Sequence, residues 1–97
     1  MQVYIILVKY TKEAKMKIKD HPQRVEKVKK IMNDHGVSMK ALYFTFGQYD
    51  VVAIVEAPDD DATLKSLLRI SSLGNATLET LKAFPGEKVA EIIKGLP

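Results

Sequence analysis

From Val3 to Tyr10 the chain is apolar, β-branched or aromatic at almost every position, with Val3, Ile5 and Leu7 on one face of an extended segment and Tyr4, Ile6 and Val8 on the other. This predicts a strand that is covered on both sides. Thr11 to Lys19 is a lysine-rich connection with Ala14 and Ile18 at helical spacing, enough for a short helix. Asp20-His21-Pro22 marks a helix start: Pro22 suits the first turn, where its missing N–H costs nothing, and Asp20 or His21 is placed to cap. Val25, Val28, Ile31, Met32 and His35 then form a helical stripe, which Gly36 ends as a left-handed cap.

The second half repeats the theme. A strand is expected from about Met39 to Phe46, with Lys40, Leu42, Phe44 and Phe46 alternating against Met39, Ala41, Tyr43 and Thr45. Gly47-Gln48 predicts a two-residue hairpin with glycine at the position that needs positive φ. The next strand, Tyr49 to Ala57, again has two apolar faces, Val51, Ala53 and Val55 against Val52 and Ile54, until Pro58 breaks it. Asp59-Asp60-Asp61 supplies an N-cap and two first-turn acids for a helix whose stripe reads Leu64, Leu67, Leu68 and Ser71, widened by Ile70 and Leu73. Gly74-Asn75 closes it, Thr77 to Phe84 is a fourth strand of mixed polarity, and Pro85-Gly86 opens a last helix with Val89, Ile92, Ile93 and Leu96 as its stripe.

The order β-α-β-β-α-β plus a C-terminal helix predicts a ferredoxin-like α+β sandwich, with the first and third strands central and the second and fourth at the edges. Right-handed crossovers place both main helices on one side of the sheet, so the other side of the doubly apolar central strands lacks cover within the chain. A second subunit packing sheet on sheet, as a homodimer or higher homo-oligomer, is the expected solution.

The chain has 97 residues, which predicts a single domain over 1–97 burying about 60–70% of its unfolded surface. Hydrophobic content of 46% and charged content of 28% are ordinary for a globular chain and disfavour disorder and membrane residence. No transmembrane span or signal peptide is expected, so the cytoplasm is the default address. Zero cysteines exclude disulfides, thiolate metal sites and a cysteine nucleophile. The net charge of +3 is uneven: Lys9 to Lys40 holds ten Lys/Arg against four Asp/Glu, the remainder five against eight. The basic residues are nearly all lysines, which reads as a solvated helix face rather than a phosphate-reading surface.

Candidate chemistry is thin. His21 and His35 fall at opposite ends of one predicted helix, about 21 Å apart, which is too far to share an ion, so no metal site is expected. No Ser-His-Asp arrangement or glycine-rich phosphate loop is present, and no cofactor is indicated. The same topology serves RNA recognition, which stacks bases on aromatics of the central strands, but here the third strand continues past Tyr49 as Val, Val, Ala, Ile, Val, so nucleic acid is not an expected partner. What remains is the set Tyr43, Tyr49, Asp50, Glu56, Arg69 and Asn75. Asp50 has two readings, an acceptor for turn N–H groups or a carboxylate at the mouth of a pocket.

Gly47-Gln48-Tyr49-Asp50, followed by the run Val51 to Asp60, resembles the GYD domain family, named for Gly-x-Tyr-Asp. Tyr4 to Thr11, Asp20-His21-Pro22-Gln23-Arg24 and Leu73 to Phe84 extend the resemblance almost end to end. It implies a dimeric α/β-barrel architecture and carries no assigned activity. Gly47 to Asp50 with Thr77 and Thr80 is more loosely similar to the amino-acid-sensing domain of leucine-responsive-type regulators, here without a DNA-binding helix-turn-helix. A second loose similarity is to dimeric-barrel monooxygenases and isomerases, which work on apolar substrates in a cleft between helices and sheet. Two functions follow as expectations: a stand-alone small-molecule-binding or oligomerisation module, or a cofactor-free small enzyme with Asp50 as the titrating group. Tyr43, Tyr49, Asp50 and His35 are the candidate ligand-contacting residues, and Asp50 the candidate catalytic one.

Overall fold

The doubly apolar segments form the two central strands. The computed structural model, which describes residues 1–97, has β1 (Gln2–Tyr10), a short α1 (Lys12–Met16) running into a single 3-10 turn (Ile18–Asp20), α2 (His21–Asp34), β2 (Ser38–Phe44), β3 (Val51–Ala57), α3 (Asp60–Ser71), β4 (Ala76–Ala83) and α4 (Gly86–Lys94). The sheet is antiparallel in the order β2-β3-β1-β4, so β1 and β3 are inside and β2 and β4 at the edges, as the apolar patterning requires. On one side Tyr4, Ile6, Ala53, Val55 and Ala57 pack with Met32 and Val37 under α2 and α3; Val55 is fully buried.

Several local expectations change. β2 bulges at Lys40, because Met39 pairs with Val55 and Ala41 with the adjacent Ile54. The extra residue turns Met39 onto the helix side with Leu42, rather than onto the face of Ala41 and Tyr43 that strict alternation assigned. The strand ends at Phe44, and the connection to β3 is the six-residue loop 45–50 instead of a two-residue turn. Gly47 does carry positive φ (+107°), and Asp50 also reaches across to β1, its N–H donating to the Val8 carbonyl at 2.8 Å. Thr45 closes the loop, its N–H donating to the Asp50 carbonyl and its hydroxyl to the Tyr49 carbonyl, at 2.8 and 2.7 Å.

At the start of α2 neither Asp20 nor His21 acts as a side-chain cap. Asp20 is already helical in backbone, since the 3-10 turn feeds directly into the helix. α3 is capped as expected, Asp59 accepting the Ala62 N–H at 2.8 Å, yet its buried face is rotated from the leucine stripe. Thr63 and Ser66 are buried, with Leu67 and Ile70 packed beside them, while Leu64 and Leu68 stay exposed. The two hydroxyls tolerate burial because they donate to helix carbonyls, Thr63 to Asp59 and Ser66 to Ala62, and their small size lets α3 sit close to the sheet.

Two apolar surfaces have no cover. On the sheet side away from the helices, register places Val3, Ile5, Leu7, Val52, Ile54 and Leu81 together. The stripe of α4 is also open, Ile92 and Ile93 being 55% and 57% exposed. α4 has no substantial packing against any other element, and the Cα radius of gyration of 15.0 Å exceeds the roughly 13 Å of a compact chain this long. No helix is long and apolar enough to cross a membrane.

Candidate functional site

Where α2 and α3 lie across one end of the sheet, the side chains leave a cavity of about 90 Å³. Val8, Leu42, Val51 and Leu78 form its sheet wall, and Val25, Val28 and Ile70 its helix wall. The polar residues are gathered on Tyr10, His21, Arg24, Lys27 and Asn75, with no Asp or Glu among the lining residues. The space is therefore apolar inside and positively charged at its rim.

Arg24 is held by the segment before its own helix. Its Nη2 donates to the carbonyls of Ala14 at 3.0 Å and Lys17 at 2.9 Å, a second hydrogen bond for each, since they also accept from the Lys17 and Asp20 N–H groups. The guanidinium carbon lies 5.0 Å from the centroid of the Tyr10 ring, a cation–π contact, while Nη1 is buried without a hydrogen-bond partner. His21 stands edge-on between Tyr10 and Phe44, with centroids 5.9 and 5.2 Å away and planes at 82° and 88°.

Burial, reinforced by the Arg24 charge, lowers the His21 pKa from its ordinary 6.5, which favours the neutral ring, and its Nδ1 is hydrogen-bonded to the Tyr10 hydroxyl at 2.7 Å. Burial likewise raises the Tyr10 pKa, with Arg24 opposing and Asp50 adding to the rise. Because His21 binds its proton less readily folded than unfolded, the stability it contributes is complete above pH 6.5 and is lost as pH falls through that value towards the folded pKa. His21→Asn is expected to flatten this part of the acid limb, read as urea midpoints between about pH 7.5 and about pH 5; an unchanged slope would count against a lowered His21 pKa.

The residues expected from sequence do not converge on this cavity, apart from Asn75. The Asp50 carboxylate accepts the Tyr10 backbone N–H at 2.8 Å and lies 3.9 Å from Lys15 Nζ. It thus takes the place of a backbone carbonyl where the β1–β3 ladder runs out. The Tyr49 hydroxyl donates to the Glu79 carboxylate, which raises its pKa. Tyr43 pairs with Val52 on the uncovered side of the sheet and is exposed, and Glu56 sits on the same side, opposite Val3. His35, at the C-terminal end of α2, accepts from Arg69 Nη1 at 3.1 Å, and Arg69 also pairs with Asp34 at 3.1 Å. No group of three or more His, Cys, Asp or Glu side chains is arranged to hold a metal.

Tyr10, His21 and Arg24 are the site residues that sequence reasoning missed. The signal was there: His21, Arg24, Val25 and Val28 continue the α2 stripe at helical spacing, so polar groups occupy its first turn on the face that meets the sheet. Asp50→Ala removes a charged acceptor from a ladder N–H and is expected to cost about 1–2 kcal/mol, or roughly 5–15 °C of melting temperature, with Asp50→Asn costing less because it keeps an acceptor. Equal loss in both variants would mean that the ion pair with Lys15, not the hydrogen bond, is what matters.

Comparison with known proteins agrees with this architecture. The GYD domain family matches residues 4–93. A protein of Thermus thermophilus named glutamine synthetase and cystathionine beta-lyase binding protein is 32% identical over 97 residues, spanning 99% of both chains. Among solved structures, TTHA0845, also from Thermus thermophilus, superposes with a TM-score of 0.58 at 23% identity, over 89% of this chain and 96% of that one. FFRP-DM1 does so with a TM-score of 0.62 at 15% identity, over 87% and 100%. At these identities the structural likeness is one of fold, a ferredoxin-like α+β sandwich of the kind found in dimeric α/β barrels.

Proposed function

The chain belongs to the GYD domain family, and from that starting point we propose that it is a stand-alone binding module working as a pair of identical chains, joined through the open face of the sheet, with a small, partly apolar metabolite held in the helix–sheet cavity. The observation that carries the reading is the uncovered row of Val3, Ile5, Leu7, Val52, Ile54 and Leu81. Burying a Val, Leu or Ile side chain is worth about 1.5–3 kcal/mol, so several left partly wet forfeit a large share of a small domain's stability. A second copy supplies a matching surface by symmetry. The free stripe of α4 adds to the apolar area that pairing can cover.

The relative's name extends the proposal to protein partners. In a pair joined by sheets the helices face outward, and α3 presents Leu64 and Leu68, one turn apart and exposed, as a contact for another protein. A cytoplasmic address belongs to the same reading. Light scattering at micromolar concentration tests the pairing: twice the chain mass of 10.9 kDa is expected, and the mass of a single chain overturns it.

A second reading, a cofactor-free enzyme acting on an apolar metabolite in the same cleft, draws on one feature, the Tyr10–His21 contact at the cavity wall, where a neutral imidazole could move a proton. The engagement of Asp50 with the Tyr10 backbone favours the binding module, because the carboxylate that was to titrate is occupied in holding a strand end.

A further inference from the structure

Resting on the reading of the helix–sheet cavity as a small-molecule site, we infer that its ligand is a compact monocarboxylic acid with an aromatic or branched apolar body, the body against Val28, Leu42, Val51 and Leu78 and the carboxylate at the Arg24–Lys27 rim.

Charge sets the head group. The ionic side chains lining the cavity are Arg24 and Lys27, and no carboxylate faces them across it. A cationic ligand is repelled there, and a neutral one leaves the guanidinium uncompensated. Arg24 is also not free to seek an acceptor elsewhere, since the Ala14 and Lys17 carbonyls fix Nη2. Nη1 is left buried and unpartnered, and a carboxylate at the rim offers the acceptor it lacks, once neighbouring side chains give way to admit it.

Size sets the body. At about 90 Å³ the cavity is smaller than the roughly 150 Å³ that takes up benzene, so it holds a short branched chain, admits a phenyl ring only as lining side chains give way, and excludes a nucleotide or a long acyl chain. The groove outside the rim is mixed in charge, Glu13 and Asp20 lining it together with Lys17, Arg24 and Lys27, so a second negative charge reaching into it gains no uniformly basic surface and a single carboxylate at the rim is the simpler fit.

Titration of the full chain with benzoate, 4-methylpentanoate, benzyl alcohol and benzylamine, followed by backbone amide NMR shifts and melting temperature, tests the inference. Expected are saturable shifts at Tyr10, Val28 and Leu78 with either acid, at least about tenfold weaker binding of the alcohol and the amine, and about tenfold weaker acid binding by Lys27→Gln. Arg24→Gln should lose the acid, but Arg24 also holds the end of α1, so the exposed Lys27 and the neutral analogues keep the test decisive if that variant does not fold. Alcohol bound as tightly as acid overturns the carboxylate assignment while leaving a small-molecule cavity. Binding of none of the four compounds at millimolar concentration overturns both the ligand class and the small-molecule part of the proposed function, without bearing on the pairing.

Discussion

Ile54→Lys is expected to give a folded single chain in place of the proposed pair. Ile54 lies in the middle of β3, opposite Ile5 on one side and Ala41 on the other, at the centre of the uncovered face. Its side chain points away from the helices, whereas its neighbours Ala53 and Val55 point into the core, so the substitution leaves the packing under α2 and α3 intact. In the separate chain the lysine is solvated. In the pair it is forced between two apolar sheets, where an unpaired buried charge costs several kcal/mol. Association should weaken by about a thousandfold or more, because central interface positions dominate binding energy. Sedimentation velocity across a concentration series reads the mass, and urea unfolding of the variant confirms that it still folds. A pair that survives the lysine would place the interface elsewhere, with the α4 stripe next to be substituted.

Met32→Ala is expected to bring the largest loss of intrinsic stability, about 2–5 kcal/mol, equivalent to a melting temperature lower by roughly 10–30 °C. Met32 is 2% exposed and belongs to the core cluster of Tyr4, Ile6, Val37 and Val55, where α2 seats on the sheet. Its carbonyl accepts from the His35 and Val37 N–H groups, at 3.0 and 2.9 Å, fixing the chain reversal into β2. With both ends of the residue held, the surroundings cannot collapse freely into the space left by truncation. A loss under about 1 kcal/mol would mean that the core relaxes there more than this packing allows. Since domains of this size carry only about 5–15 kcal/mol in all, the variant should be partly unfolded at physiological temperature when dilute, and more folded where pairing adds stability by mass action.

The central strands were legible in the sequence because a strand with two apolar faces has one place in this topology, and β1 and β3 were the segments that fitted it. The α2 stripe was legible for a similar reason, its apolar positions having a single helical solution. The face of α3 was not: Leu64, Leu67 and Leu68 outweigh Thr63 and Ser66 on any hydrophobicity count, yet the hydroxyls satisfy themselves within the helix and their small size decides which side approaches the sheet. Nor could alternation reveal the bulge at Lys40, since one inserted residue changes faces without changing composition. As for the site, Asn75 was within reach of sequence reasoning. Tyr10, His21 and Arg24 were hidden by their local readings as a strand end, a cap and a basic helix face, and only the packing of α1, α2 and β1 brings them together. Asp50 was read either as an acceptor for turn N–H groups or as a pocket carboxylate; its carboxylate accepts instead from the backbone of β1.

The bulge at Lys40 also bears on how the molecule avoids uncontrolled growth. β2 is an edge strand, and a straight edge is an open template for a neighbouring chain to add strand after strand. The extra residue breaks the even spacing of free N–H and C=O groups along that edge and puts a charged side chain at the break, so a foreign strand finds no continuous register. An interrupted β2 edge suits the proposed face-to-face pair, which closes on itself where an edge-to-edge ribbon would continue without end.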